Sequence, residues 1–418
     1  VIPLTAIVMT APCLAAPAVL SGERQAAAAA LAAGRFDEAA VLLRKLLSQQ
    51  AEDAGLWQDL ARAEEGAGRT DAALEAWTQA LALQPGNTTA AAGAGRMLAA
   101  REDWNRVVLL LEPLAESART ADLEHLLGQA QRRLGRAREA AWHYTRAVRL
   151  DPQRFEDHLQ LAELHLEQRA PAAAVGVLEE ARALRPNDAG VEFLLARAYH
   201  QAGRSLGRIE IVPLPEAIPE TTSGRWYVME PSPDQPGRFV VCPQNSGIYH
   251  LQRAFELGAD APAVHLLHAD IWFDAGRYEK AREIYEAIEP LLGAADLPGY
   301  HERFGRTLLA LDDLDGFENH MLQAVELAPK TYKPMLGDAY QELAQRYCLR
   351  GDIEQYISCL ERAVKEHPES AALRYKLGNA CAEARRMPQA REAWFKTLEL
   401  DPQHPDKERL LELLKQGE

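Results

Sequence analysis

The sequence predicts an all-α fold, a solenoid of stacked helical hairpins, and three observations carry that prediction. Ala and Leu dominate a chain of 418 residues in which aromatics make up only 7%, a composition that loses little side-chain entropy in helices. Strings that begin Gly-Arg recur 34 residues apart, and helix-stopping prolines recur at the same spacing. Fixed periods of this length are the mark of repeat architectures.

Each part of the repeat has a mechanical reason. G-R-F-D-E-A starts at Gly34 and G-R-T-D-A-A at Gly68, with related strings from Gly135 and Gly276. Glycine lets the chain reverse sharply after one helix at no Cβ cost. Small residues at Ala39, Ala73, Ala140, Ala281 and Ala390 let the second helix approach the first. The larger Trp77, Tyr144, Tyr285 and Trp394, one turn on, fill the space between hairpins. Pro152 and Pro186, like Pro368 and Pro402, lie 34 residues apart and forbid continuation of the second helix. One hairpin cannot bury its apolar face alone, so stacked copies must share a core.

Trp57, Leu60, Ala61, Ala73, Trp77, Ala80 and Pro85 together resemble the tetratricopeptide repeat family. So do Leu127, Gly128, Ala140, Tyr144, Ala147 and Pro152, and again Leu377, Gly378, Ala390, Trp394 and Pro402. The resemblance implies a right-handed superhelical solenoid of about ten hairpins. Their expected bounds are 20–53, 54–87, 88–120, 121–154, 155–188, a split sixth unit 189–258, 262–295, 298–331, 337–370 and 371–404. The units at 88–120 and 298–331 lack the turn glycine. The expected organisation is a signal segment 1–18, an N-terminal array 19–204, a β-rich insertion 205–245, a C-terminal array 246–404 and a capping helix 405–418.

The insertion interrupts the sixth unit with the β-favouring runs R-I-E-I-V, R-W-Y-V-M and R-F-V-V-C. Two or three short antiparallel strands are expected, with P-S-P-D-Q-P-G joining the last two. A small sheet needs support, and Trp226, Tyr227 and Phe239 are its natural contacts, against the array or against a partner.

The first eighteen residues are uncharged and apolar and end in Ala16-Pro17-Ala18, as the apolar core of a secretory signal does. Export to the periplasm or the cell exterior is therefore expected, although the basic n-region and an initiator Met are missing; a cytoplasmic chain is the alternative. Membrane association is not expected beyond that segment. Cys242, Cys348, Cys359 and Cys381 form no C-x-x-C pair, so buried inert thiols are expected. Cys348 and Cys359 would sit on facing helices, where an exported chain could form a disulfide.

Function reads from the same residues. A formal charge of −15 repels a phosphate backbone, and the densest basic spot, Arg132, Arg133, Arg136 and Arg138, is diluted by Glu139; nucleic acid is excluded as an expected partner. In the family, first helices line the concave face and hold peptides. By that resemblance the groove comprises Leu159, Glu163, Leu166, Phe193, Arg197, His200, Leu266, Asp270 and Phe273. Early units add Gln58, Arg62, His125, Gln129, Arg132 and Arg133, and late ones Glu302, Arg306, Gln341, Gln345, Tyr375, Lys376 and Asn379. Leu159, Leu166, Phe193, Leu266 and Phe273 would form an apolar strip with a polar rim, the character of a peptide site. A carboxylate clamp of Lys and Asn is not expected, because only the last unit carries Lys376 and Asn379.

Chemistry finds little footing. His265 and His268 have a metal-compatible spacing beside Asp270, yet both fall where the repeat buries side chains, so satisfied core histidines are expected. No P-loop, G-x-S-x-G, dinucleotide or EF-hand motif occurs. The leading expectation is a non-enzymatic scaffold holding a protein or peptide, without cofactor or metal, its self-association left open. The alternative is an envelope assembly factor that binds glycan or lipid-linked material through the insertion. An enzyme built from His200, His250 and Asp270 is the remote third.

Overall fold

The structure, a computed structural model, describes residues 17–114, 118–207, 210–213, 226–231 and 238–415. The proposed signal segment thus lies almost wholly outside the described residues. The chain divides into two compact units, Val1–Ala202 and Gly203–Glu418, so the split sixth repeat gives one helix to each.

Unit 1 contains α1 (Pro17–Ala32), α2 (Phe36–Leu47), α3 (Ala54–Gly66), α4 (Thr70–Leu83), α5 (Thr88–Ala100) and α6 (Trp104–Leu111). It continues with α7 (Ala121–Arg133), α8 (Ala137–Leu150), α9 (Phe155–Glu167), α10 (Pro171–Leu184) and α11 (Ala189–Gln201). Unit 2 opens with β1 (Glu210–Pro213), β2 (Trp226–Pro231) and β3 (Arg238–Pro243). Its helices are α12 (Gly247–Glu256), α13 (Pro262–Asp274), α14 (Tyr278–Ile288), α15 (Leu297–Ala310) and α16 (Leu314–Leu327). Then follow α17 (Pro329–Arg350), α18 (Ile353–Glu366), α19 (Ala371–Glu383), α20 (Met387–Leu400) and α21 (Lys407–Lys415). The helices pair in step with the sequence repeat, and the protein is an all-α repeat fold carrying one small sheet.

Local chemistry sets the boundaries. Asp53 caps α3 by accepting from the Gly55 and Leu56 amides at 2.8 and 3.1 Å, and Asp188 caps α11 through the Val191 amide at 3.0 Å. At the turns, Gly34, Gly68, Gly135, Gly203, Gly276 and Gly351 take positive φ. Where the glycine is missing the turn keeps its shape: Glu102, Arg169, Asp312 and Arg385 adopt φ of 57–64° in its place. Left-handed backbone costs a non-glycine residue about 1–2 kcal/mol, so hairpin packing overrides local preference at four turns.

The small and large positions of the repeat do what the sequence asks. Ala39, Ala73, Ala140, Ala281 and Ala390 are fully buried, as are Trp77, Tyr144, Tyr285 and Trp394. Glycine matters inside helices where rings arrive face-on: a Cβ on Gly378 would sit 2.4 Å from Trp394 Cδ1, and one on Gly93 2.3 Å from Trp77 Cε2.

One element differs from expectation. The ninth unit was to begin at 337, but α17 already starts at Pro329 and runs 22 residues through Pro334. Pro334 lacks the N–H that would reach the Lys330 carbonyl, and the helix continues past it because Leu336, Ala339, Tyr340 and Leu343 bury one face in the core.

The insertion is an antiparallel three-stranded sheet of order β1-β3-β2. Tyr227 pairs with Cys242 and Val228 with Val241, and an irregularity between Val228 and Glu230 shifts the register. Val241 and Cys242 are buried, and Ser246 caps α12 through the Tyr249 amide. The side-chain contacts expected of Trp226, Tyr227 and Phe239 lie outside the described residues, as does the P-S-P-D-Q-P-G loop after Pro231. Among the described residues no helix is long and apolar enough to cross a membrane.

Candidate functional site

The first helices of the hairpins supply the candidate surface, and each unit bears a cleft on them. In unit 1 a cleft of about 330 Å³ is lined by Arg96 and Ala99 of α5, by Asp122, His125, Leu126 and Gln129 of α7, and by Arg154. The T-T-A-A-A-G-A-G run of α5 is itself closely packed, with Gly93 against Trp77 and Gly95 against Leu111 and Leu126, and the cleft opens beyond it at Arg96 and Ala99. His125 and Gln129 were legible in advance; Arg96, Asp122 and Arg154 were missed.

In unit 2 a cleft of about 290 Å³ opens between α17 and α19, lined by Gln341, Gln345, Cys348, Leu349, Tyr356 and Lys376 among others. Gln341, Gln345 and Lys376 belong to the expected late set. Cys348 is exposed here, a correction to the expected buried thiol, whereas Cys242, Cys359 and Cys381 are buried; all four carry free thiols. An exposed position at the C-terminal end of α17 takes Cys348 out of the hairpin core. Burial pushes the Cys242 thiol up to about 12 and that of Cys359 up to about 11, which keeps both as inert thiols.

The middle set is divided between the units. In unit 1, Phe193 is half-buried beneath Arg197, whose guanidinium lies 5.8 Å from the ring centre. Leu159 is half-buried against the core, and His200 is half-buried. Glu163 accepts from Arg132 at 2.7 Å. Leu166 is a correction: it is 4% exposed, packed with Leu178, Val191, Leu194 and Leu195. The last turn of α11 lies over it, where Gln201 Nε2 donates to the Leu166 carbonyl at 3.1 Å. In unit 2, Leu266 and Phe273 are half-buried, Phe273 against Tyr278. Asp270 is drawn into the hairpin, accepting from Tyr285 Oη at 2.6 Å and from Arg303 at 2.8 Å.

Several first-helix side chains face neighbouring repeats. Arg96 bridges to Glu65 at 3.1 Å, His125 to Asp157 at 2.5 Å, and Arg132 to Glu167 at 3.0 Å besides Glu163. Arg133 covers Trp104, while Arg62 with Asp59 at 3.3 Å and Glu302 with Arg306 pair along their own helices. Asn379 accepts from Trp394 Nε1 at 3.0 Å and Tyr375 donates to Asp406 at 2.6 Å, so both serve packing. Gln58 is half-buried on α3.

His265 and His268 face different partners. His265 Nε2 lies 2.7 Å from Asp260, while His268 Nε2 accepts from Trp272 Nε1 at 2.8 Å. Burial holds His268 down at about 4, the behaviour of a neutral core imidazole. Groups of three or more ligand-type side chains suited to a metal are absent among the described residues.

Comparison with known proteins follows the same lines. A family model described as tetratricopeptide repeat matches residues 59–106, 125–189, 249–296 and 343–405, more than half of the chain. A second model of the same description matches residues 30–76. No curated protein sequence gives a significant match. Among solved structures, YrrB, described as a TPR protein with an unusual peptide-binding site, is 18% identical with a TM-score of 0.41, covering 55% of this chain and 97% of that one. MamA of Desulfovibrio magneticus RS-1, from residue 41 to its end, is 19% identical with a TM-score of 0.38, covering 40% and 96%. The Cut9–Hcn1 hetero-tetramer of the APC/C gives 12% identity and a TM-score of 0.37 over 95% and 96%. These structural likenesses are weak, and the repeat models carry the assignment: the chain belongs to the tetratricopeptide repeat family.

Proposed function

We propose that the protein is a non-enzymatic interaction scaffold that holds a protein or peptide segment on its first-helix faces. The carrying observation is repeat coverage of more than half of the chain together with clefts lined by first-helix side chains in each unit. The half-buried Phe193 under Arg197 and the pair Leu266 and Phe273 add apolar surface beside polar side chains, the mixture that an amphipathic or extended segment requires. In this reading Leu159, Phe193, Arg197 and His200 serve unit 1, and Leu266 and Phe273 serve unit 2, each with its cleft. Glu163 and Asp270 hold the surface rather than the ligand.

The test is site-specific photo-crosslinking in the cell of origin. A crosslinking amino acid at Gln129 or Gln345 should capture a defined partner, and Phe193→Glu should abolish capture at Gln129. The same probe at the exposed second-helix position Val41 should capture nothing in common with them. Equal capture from Val41, or capture indifferent to Phe193→Glu, would refute the proposal.

A further inference from the structure

We infer that the hairpin of α15 and α16 is closed by a proton-sensitive latch, in which His301 and His320 share one hydrogen between the two helices and acid opens it. The pair lies inside unit 2. His301 is 6% exposed, His320 is half-buried, and their Nδ1 atoms stand 2.9 Å apart. Tyr300 packs against both rings and Phe304 against that of His320. Gly305 permits the close approach of the helices, since a Cβ there would sit 3.3 Å from the Cβ of His320.

A bond between two Nδ1 atoms allows few protonation states. One ring carries its hydrogen on Nδ1 and donates, and the other is bare at Nδ1 and accepts. A proton added to the accepting nitrogen leaves two N–H groups face to face with no acceptor between them. Protonating both rings also places two like charges side by side within the hairpin. The bond then has to break.

The fourth hairpin holds the same geometry with different chemistry. Glu124 and His143 are 19 residues apart in the chain, as are His301 and His320, and each pair joins a first helix to its second. Gly128 and Gly305 each follow the first member by four residues. In the fourth hairpin a carboxylate meets Nδ1 of His143 at 2.8 Å, and a carboxylate favours the charged imidazole. In the eighth an imidazole stands where that carboxylate would, so the same contact turns from holding a proton to refusing one.

The surrounding charges do not reverse this. Burial is the largest influence on both rings and holds them below their ordinary 6.5, helped at His320 by the charge of His301. Glu289, in the turn after α14, opposes it at both rings, and Asp313, between α15 and α16, opposes it at His320. Glu286 of α14 acts on Tyr300. Glu318 of α16 is engaged by Tyr340 of α17 and Arg362 of α18, and Asp270 of α13 by Tyr285 of α14 and Arg303 of α15. With folded values below the unfolded one, the latch contributes fully above pH 6.5 and is lost as the pH falls.

Hydrogen exchange of the full chain, corrected for intrinsic rates, tests the latch. Between pH 6.5 and 4.5, protection of α15 and α16 should fall about tenfold or more. His301→Glu rebuilds the pairing of the fourth hairpin and should abolish that fall, while the response of α13, which carries His268, remains. Protection that holds in the unsubstituted chain, or falls equally in His301→Glu, overturns the latch. Should His301→Glu fail to fold, long-range proton–nitrogen NMR of the unsubstituted chain decides. One ring protonated at Nδ1 and the other at Nε2 near neutral pH, titrating below 6.5 in two separate steps, supports the shared hydrogen. Two rings of the same tautomer, or titrating together near 6.5, overturn it.

Discussion

The two units solve one packing problem with different buried chemistry. Unit 1 buries carboxylates and clasps them with cations: Glu64 with Arg44 and Arg69, Glu124 with Arg146 and His143, Asp157 with His125. Unit 2 has no wholly buried carboxylate among the described residues and relies on imidazoles and phenols, which unit 1 also buries at His143, His158 and Tyr144. His301 and His320 share a hydrogen bond between their Nδ1 atoms at 2.9 Å, Tyr300 donates to the Tyr285 carbonyl at 3.2 Å, and His268 accepts a hydrogen bond from Trp272 Nε1. A shared hairpin geometry therefore does not impose a shared electrostatic response, and the response to acid is where the units should part.

The signs can be worked out. Burial would raise the Glu124 carboxyl, but His143, Arg119 and Arg146 together hold it below its ordinary 4.5. Its contribution is complete above pH 4.5 and is lost only below that. His268 is held down at about 4 by burial, against an ordinary 6.5, and burial also lowers His301 and His320. Neutral imidazoles are what this packing requires, so their contribution is complete above pH 6.5 and fades as the pH falls toward 4. For His268 the stake is on the order of 3 kcal/mol. Hydrogen exchange corrected for intrinsic rates should show α13–α16 losing protection between pH 6.5 and 4.5 while α3–α8 hold theirs. His165 of α9 is also lowered by burial, so α9 is the part of unit 1 expected to follow. Simultaneous loss in both units, only below pH 4.5, would erase the contrast.

A steric comparison comes next in size. Gly128 and Gly378 occupy the same repeat position, but a Cβ would stand 3.0 Å from Tyr144 at Gly128 and 2.4 Å from Trp394 at Gly378. Gly378→Ala should cost about 1–3 kcal/mol by overpacking. Gly128→Ala should cost less, because the smaller clash is offset by roughly 1 kcal/mol of helix propensity. Urea denaturation measures both, and equal costs would mean that Trp394 yields as readily as Tyr144.

Turns give a smaller and opposite effect. Glu102 in unit 1 and Arg385 in unit 2 hold positive φ at exposed positions. Glycine at either should stabilise by about 0.5–1 kcal/mol, read from denaturation midpoints. A loss at one turn alone would reveal a side-chain role there.

The same residues explain what the sequence disclosed. Hairpin pairing was legible because Gly, Ala and Pro sit where sterics leave few alternatives. The turns at Glu102, Arg169, Asp312 and Arg385 were invisible locally, since neighbouring repeats enforce a backbone their own residues disfavour. The start of α17 was hidden for a related reason: two prolines read as a break, and core contacts carry the helix through the second. At the candidate site, His125, Gln129, Gln341 and Gln345 followed from repeat position alone. Leu166 did not, because its burial depends on how far α11 reaches over α9, which periodicity does not record.

The smallest expected effects bear most on the proposed groove, because Glu163 and Asp270 were both read as ligand-facing. Glu163 pairs with Arg132 on a partly exposed first-helix face, 34% exposed itself. Glu163→Gln should cost no more than about 1 kcal/mol, as surface pairs do. Asp270 is 19% exposed and holds Tyr285, whose hydroxyl is pushed up first by burial and then by the Asp270 charge. Asp270→Asn keeps the shape but weakens a charge-assisted bond to a buried phenol, for about 1–2 kcal/mol. A double-mutant cycle with Tyr285→Phe should recover most of that loss as coupling, whereas one pairing Glu163→Gln with Arg132→Gln should recover little. Partner capture at Gln129 and Gln345 should survive both single substitutions. If Asp270→Asn instead leaves stability intact and abolishes capture at Gln345, Asp270 belongs to the ligand and not to the hairpin.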